Sequence, residues 1–373
     1  MARRPRRAVA ATRAIEGGLE VGHRLVAFTF VSALIVTACG GGGGGGGAPA
    51  SPSASAAAKA VCDAKKITIA VPVTPPNVVH LTPYVADSFG YFKDENLTVE
   101  LVRFEGGVGS LRASASGGIT LAGTSSEPVV DGIANGAEVK VLYSYAPNVD
   151  VSFVVGPKVK TMADLKGKVM GVQEAGGFAD VMTRIVLKKA GIDPKDVTFL
   201  QTTTAGRVQQ LVAGATDTAV LHIDQTKTVQ KANPGISVLT NMWEILSDYQ
   251  YSVYVAPTQA IRDDAATLEC TIRALMRANR AMYDPASRQK IIDIAVKEGK
   301  IDAQIAADTF DLLVKAKAWP QNEGVPQKNI EGTIASEKAF GKITKDLTFD
   351  QIVDLSITKK VVEQLGRVKD FPY

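Results

Sequence analysis

Between residues 66 and 242 the chain writes one alternation of short β-rich runs and helical stretches twice. In the first pass, strand-like runs at 66–74, 97–104, 119–125 and 138–145 are separated by an amphipathic stretch, by a Gly-rich turn with a short helix, and by 127–136. The second pass begins after Pro157, with strand-like runs at 168–174, 197–202, 217–223 and 236–242. Helical stretches at 177–191, 207–215 and 224–233 lie between them, and Val181, Ile185 and Leu187 fall near helical spacing in the first. Such alternation indicates βαβ units and a largely parallel sheet. Two runs of similar length imply two α/β lobes. Past Tyr251 the pattern turns helical, with helices expected over 263–284, 287–299, 302–318 and 348–366. The last opens on Thr348 and Gln351 at capping-box spacing and stops at Gly366, a C-cap signal. A strand over 250–257 would return the chain to the first lobe and make that lobe discontinuous.

The charge distribution narrows the partners. Six of the 42 Lys and Arg and two of the 38 Asp and Glu fall within residues 1–38, so the rest carries 36 of each sign. A neutral body lacks the basic face that nucleic acid binding needs, and no nucleic acid partner is expected. With 46% hydrophobic and 21% charged residues the chain is of folded, globular composition, long enough for two cores. The three His and three Cys argue against an imidazole-built metal centre, and neither a metal nor a cofactor is expected.

The amino terminus reads as an export address. After an Arg-rich opening, Leu25–Ala38 is an uncharged apolar run of 14 residues. That is shorter than the roughly 20 a bilayer core requires, but it suits a secretory signal. The run ends in Val36-Thr37-Ala38-Cys39, which resembles a bacterial lipobox, with Cys39 as the lipidated residue after removal of 1–38. Gly40–Gly47 and the Ala, Ser and Pro-rich stretch behind it make residues 39–63 a flexible tether. With Cys39 acylated, Cys62 and Cys270 remain as an even pair in an oxidising compartment. A disulfide and two buried free thiols are both open.

Four segments carry a family resemblance: GYFKDENLTVELV (90–102), ADLKGKVMGV (163–172), LKKAGIDPKDVTFL (187–200) and DLSITKKVVEQLG (354–366). In this order they resemble the solute-binding proteins of ABC importers, in the subfamily of nitrate, sulfonate, taurine and thiamine-pyrimidine-precursor binders. The likeness spans roughly 64–366. It implies the two-lobed periplasmic-binding-protein fold of type II, α/β, with two crossovers and a helical C-terminal segment. The first lobe would take 64–152, the second 153–252, and 253–373 would return to the first. It also implies a monomer at the extracytoplasmic side of the membrane, held there by its lipid, serving a permease and its ATPase.

In open parallel sheets ligands sit outside the carboxyl ends of the strands, where loop amides and helix N-termini converge. That selects the loops Thr74–Leu81, Gly123–Glu127, Gln173–Ala179 and His222–Gln225. The resemblance selects the same four. Their candidate ligand contacts are Asn77 and His80; Ser125, Ser126 and Glu127; Glu174, Gly176, Gly177 and Phe178; and His222 and Asp224. Tyr251, beside the second crossover, is placed to stack on a ligand, or to pack in the core. His80 and His222, one in each lobe, lack the further ligands a metal pair needs. Trp243 and Tyr145 read as core. Glu127, Glu174 and Asp224 stand in these loops without Lys or Arg, which favours a neutral or weakly basic polar organic ligand over a small strong anion. The acids pointing outward, or pairing with Arg103, Arg112 or Arg207, would remove that bias.

Neither a Gly-x-Ser-x-Gly elbow, a His-Glu-x-x-His, a Cys-x-x-Cys nor a phosphate-binding loop occurs. Pyrimidine synthases of thiamine biosynthesis share the implied fold but carry a Cys-rich iron-binding motif that is absent here. The chain therefore reads as a binder and not an enzyme. A tethered sensor without transport is the other reading.

Overall fold

The computed structural model describes residues 62–373, so the signal segment 1–38, Cys39 and most of the tether lie outside the described residues. Ten strands occur in chain order: β1 Lys65–Val71, β2 Leu97–Arg103, β3 Leu121–Ser125, β4 Val139–Ala146, β5 Val151–Val155, β6 Val169–Val172, β7 Thr198–Gln201, β8 Thr218–His222, β9 Ser237–Asn241 and β10 Ser252–Pro257. They form two five-stranded sheets, ordered β2-β1-β3-β10-β4 and β7-β6-β8-β5-β9.

Each sheet is mixed in the same way. In the first, β1 pairs parallel with β2 and β3, while β10 runs antiparallel between β3 and β4. In the second, β6 pairs parallel with β7 and β8, while β5 runs antiparallel between β8 and β9. The chain passes between sheets twice, from β4 to β5 and from β9 to β10, and each passage ends in the inserted strand. Strand β5 is an element that the alternation does not announce. Its sequence Val151-Ser152-Phe153-Val154-Val155 is buried throughout and stops at Gly156-Pro157. Such a run is what a strand covered on both faces requires.

Side chains alternate across the sheets and fill a core on either face. In β10, Val253 and Val255 meet Val129 and Val130 of helix Ser126–Ala134 and Ile330 and Ile334 of helix Gln327–Ala339. Tyr254 points the other way, into the cluster that holds Leu268, Ile272 and Leu275 of helix Ala265–Ala281. That cluster continues through Phe153 and Met170 to Val186 and Leu187 of helix Phe178–Lys189.

The C-terminal segment departs from expectation in two places, the first being helix Gln327–Ala339, where the sequence pattern predicts no element. The capping box at Thr348 and Gln351 forms, but the helix runs only over Phe349–Ile352 and restarts over Ser356–Leu365. Between them Val353 bridges to Val141 beside β4, and the Asp354 amide donates to the Val141 carbonyl at 2.9 Å. A ladder bond to the sheet edge replaces the helical bonds there. The sulfurs of Cys62 and Cys270 meet, with Cα atoms 6.5 Å apart, tying the start of the described chain to helix Ala265–Ala281. Among the described residues no helix is long and apolar enough to cross a membrane.

Candidate functional site

The carboxyl ends of β1, β3, β6 and β8 face one another across a cleft, and the two passages between sheets form its floor. After β1 comes a loop whose residues Val78–His80 make a short 3-10 helix, all three buried. Trp319, fully buried, holds this loop from behind by donating Nε1–H to the Val79 carbonyl at 3.1 Å. His222 ends β8 and caps helix Ile223–Ala232, its amide bonded to Gln225 Oε1 at 3.3 Å. The Tyr251 backbone is fixed between the first passage and helix Ser126–Ala134: its amide donates to the Pro147 carbonyl and its carbonyl accepts from the Ser126 amide, each at 2.9 Å.

Four side chains then form a chain of hydrogen bonds through the cleft. Tyr251 Oη lies 3.1 Å from His80 Nε2 and 3.2 Å from His222 Nε2. His222 Nδ1 lies 2.8 Å from Asp150 Oδ1. A carboxylate only accepts, so His222 carries hydrogen on Nδ1. Tyr251 Oη thereby bridges the Nε2 atoms of the two imidazoles. Burial, and behind it the neighbouring His222, lowers the His80 pKa well below its ordinary value, so this ring is neutral. Phe178 closes one side, its ring centroid 4.5 Å from Tyr251.

A cavity of about 30 Å³ remains beside this chain, lined by His80, Ser125, Glu174, Phe178, His222 and Tyr251 among the expected residues. That is room for about one water molecule. The lining also includes Tyr145, Gln173, Ser252 and the pair Gly106–Gly107, and none of it is Lys or Arg. His80 Nδ1 is buried without a hydrogen-bond partner, and the hydroxyls of Ser125, Tyr145 and Ser252 stand on the same wall. An orphaned ring nitrogen among hydroxyls calls for a polar guest, since an unsatisfied buried group weakens the fold by roughly 1–3 kcal/mol.

Direct bonds already span the cleft. Asn77 Nδ2 donates to both carboxylate oxygens of Asp224 at 3.2 Å, and the Val78 amide donates to Asp224 Oδ2 at 3.3 Å. Glu174 Oε1 accepts from the Val108 amide at 2.7 Å. Gln173 Nε2 donates to the Glu105 carbonyl at 2.9 Å. Burial raises the pKa of both Asp224 and Glu174. At Gly106 a Cβ would fall 2.0 Å from Glu174 Oε1, so a side chain there displaces the Glu174 carboxylate.

Other expected residues are turned elsewhere. Ser126 donates to the Gln250 carbonyl, and Glu127 accepts from Tyr249 Oη at 2.7 Å deep in the first lobe. Gly176, at φ +75°, donates its amide to Asp180 Oδ2 at 2.9 Å, and Gly177 caps the helix that Phe178 begins. Neither lines the cavity. Of the arginines weighed as partners for the acids, Arg103 pairs with Glu298, and Arg207 donates to the Val220 carbonyl. Trp243 is not core: it is 41% exposed. Tyr145 is buried but borders the cavity, and Asp150, just before β5, went unnoticed because the strand it precedes did. The GG pair after β2 was the visible signal for a close approach there.

Gly177 permits one test. A Cβ there would lie 2.7 Å from Glu174 Cγ, so Gly177→Val displaces the Glu174 side chain from the Val108 amide. We expect ligand affinity to fall by about tenfold with stability within about 1 kcal/mol of wild type, measured by calorimetric titration and thermal melting. Unchanged affinity would separate Glu174 from binding.

Two α/β lobes, joined by two passages around a polar cleft, define the periplasmic-binding-protein fold of type II. Residues 77–287 match the family described as NMT1/THI5 like, and the chain belongs to that family. A relative named as a binding protein, YtlA of Bacillus subtilis (strain 168), is 23% identical over 287 residues, covering 75% of this chain and 86% of its own. A solved structure from Bordetella bronchiseptica RB50 aligns with TM-score 0.70 at 20% identity, covering 80% of this chain and 98% of that one. The periplasmic aliphatic sulphonate binding protein SsuA of Escherichia coli aligns with TM-score 0.60 at 18% identity, covering 78% and 92%.

Proposed function

We propose that this chain is the solute-capturing component of an ABC importer, acting outside the cytosol as a lipoprotein anchored through Cys39. The observation that carries the reading is the cavity between the lobes with its hydroxyl-lined wall and the unpartnered His80 Nδ1. Family membership and the likeness to YtlA and SsuA, both named as binding proteins, support it. The ligand is a small polar organic molecule or oxyanion of the sulfonate, nitrate or pyrimidine class. Ser125, Tyr145 and Ser252 offer it hydroxyls and His80 offers its unpartnered Nδ1. The absence of Lys and Arg from the lining favours an uncharged member of that range. Binding stabilises the closed state by the ligand's differential affinity for it. The closed protein, a monomer, then docks on a membrane permease driven by a separate ATPase. We assign no catalysis to it, and we take Cys62 and Cys270 as its disulfide.

A thermal-shift screen across those ligand classes tests the reading, because a ligand that prefers the folded state raises apparent stability by mass action. One class is expected to raise the melting temperature, and His80→Ala should abolish the rise. A rise unaffected by His80→Ala would move the site elsewhere. The anchor is tested separately: Cys39→Ser should shift the protein from the membrane fraction to the soluble one, and retention at the membrane would defeat it.

A further inference from the structure

A second cavity, of about 680 Å³, is lined by Asp150, the partner of His222. It is bounded by both interlobe passages, by helix Ile223–Ala232 of the second lobe and by helix Ala303–Lys315 of the first. Ligand pockets for small organic molecules run to about 300–1,000 Å³ with mostly apolar walls and few polar groups. This one has that make-up. Trp243, Leu246, Leu312 and Ile223 supply apolar wall, and the charged groups on it are Asp150 and Lys227. Four large apolar side chains are exposed among the described residues, and two of them, Trp243 at 41% and Leu312 at 45%, border this cavity.

The two charges differ in what they can offer a guest. Lys227 faces Asp308 at 3.7 Å. Asp150 is buried and spends Oδ1 on His222, leaving its second oxygen as an acceptor on the wall. A carboxylate and an indole ring on one cavity wall are the chemistry that takes a cationic or N–H-donating head, the ring adding cation–π attraction. We propose that this hinge-side cavity is a second binding site, distinct from the cleft, for a flat apolar molecule carrying an amine head. The apolar body packs on Trp243 and Leu312 and the ammonium meets Asp150.

Phenethylamine and 3-phenylpropionate, matched in body and opposite in charge, are the probes, titrated by calorimetry into the whole chain. The expected result is one saturable phenethylamine site, at least about tenfold weaker for 3-phenylpropionate, about tenfold weaker in Trp243→Ala and kept in His80→Ala. Trp243 is exposed, so its removal leaves the core intact, and a melting curve checks that. Absence of saturable phenethylamine binding up to about 10 mM overturns the proposal. So does equal or tighter binding of 3-phenylpropionate, or loss in His80→Ala with retention in Trp243→Ala.

Discussion

Replacing Trp319 by Ala is expected to destabilise the protein by about 4 kcal/mol, within the range of large-to-small changes of buried Trp. The indole is fully buried, stands 5.6 Å from the Phe310 ring, and gives its N–H to the Val79 carbonyl. Its loss leaves a cavity and an orphaned carbonyl in the loop that carries Asn77 and His80. Function should therefore suffer along with stability, because the 3-10 turn Val78–His80 loses its support. Trp319→Phe keeps most of the packing and forfeits the hydrogen bond, so it should cost about 1–2 kcal/mol. Chemical denaturation of the three proteins reads the series. Near-equal stability for Trp319→Ala would show that the C-terminal helices do not brace the site.

The second large effect is a pH dependence set by two buried acids. Burial pushes Glu127 up to about 7, and burial together with the Glu127 charge pushes Glu337 up to about 8. In the unfolded chain both ionise near 4.5, so between that pH and about 7–8 the folded state holds protons the unfolded state has released. Stability then falls as pH rises through this window, by about 1.4 kcal/mol for each unit by which a pKa is raised. Glu337→Gln removes one of the two charges and relieves the other. It should match wild type near pH 4.5 and exceed it by about 3 kcal/mol at pH 8, read as a widening gap in melting temperature. A gap that stays constant with pH would mean the two acids are not held protonated.

The strand–helix alternation was legible because short β-branched runs and amphipathic stretches are local signals. The position of β5 between β8 and β9, and of β10 between β3 and β4, is a matter of tertiary pairing, and no local pattern encodes it. The break at Val353 has the same origin, since its partner Val141 lies in another element. For the site, strand ends located the loops, and His80, Ser125, Glu174, Phe178, His222 and Tyr251 do border one cavity. Side-chain direction was the part that spacing could not supply. Ser126 and Glu127 directly follow Ser125, yet helix Ser126–Ala134 turns their side chains to Gln250 and Tyr249. Asp150 sits 72 residues from the His222 it orients, in a stretch between the two passes to which the alternation gave no element.

Because the cleft holds room for only about one water with the lobes in contact, entry of any larger ligand requires them to part. Small-angle scattering of the Cys39→Ser chain, free and saturated with a ligand from the thermal-shift screen, reads this directly, the tether adding equally to both profiles. The free protein should have the larger radius of gyration, and saturation should contract it toward that of the closed structure. Profiles that superimpose at saturation would contradict capture by closure.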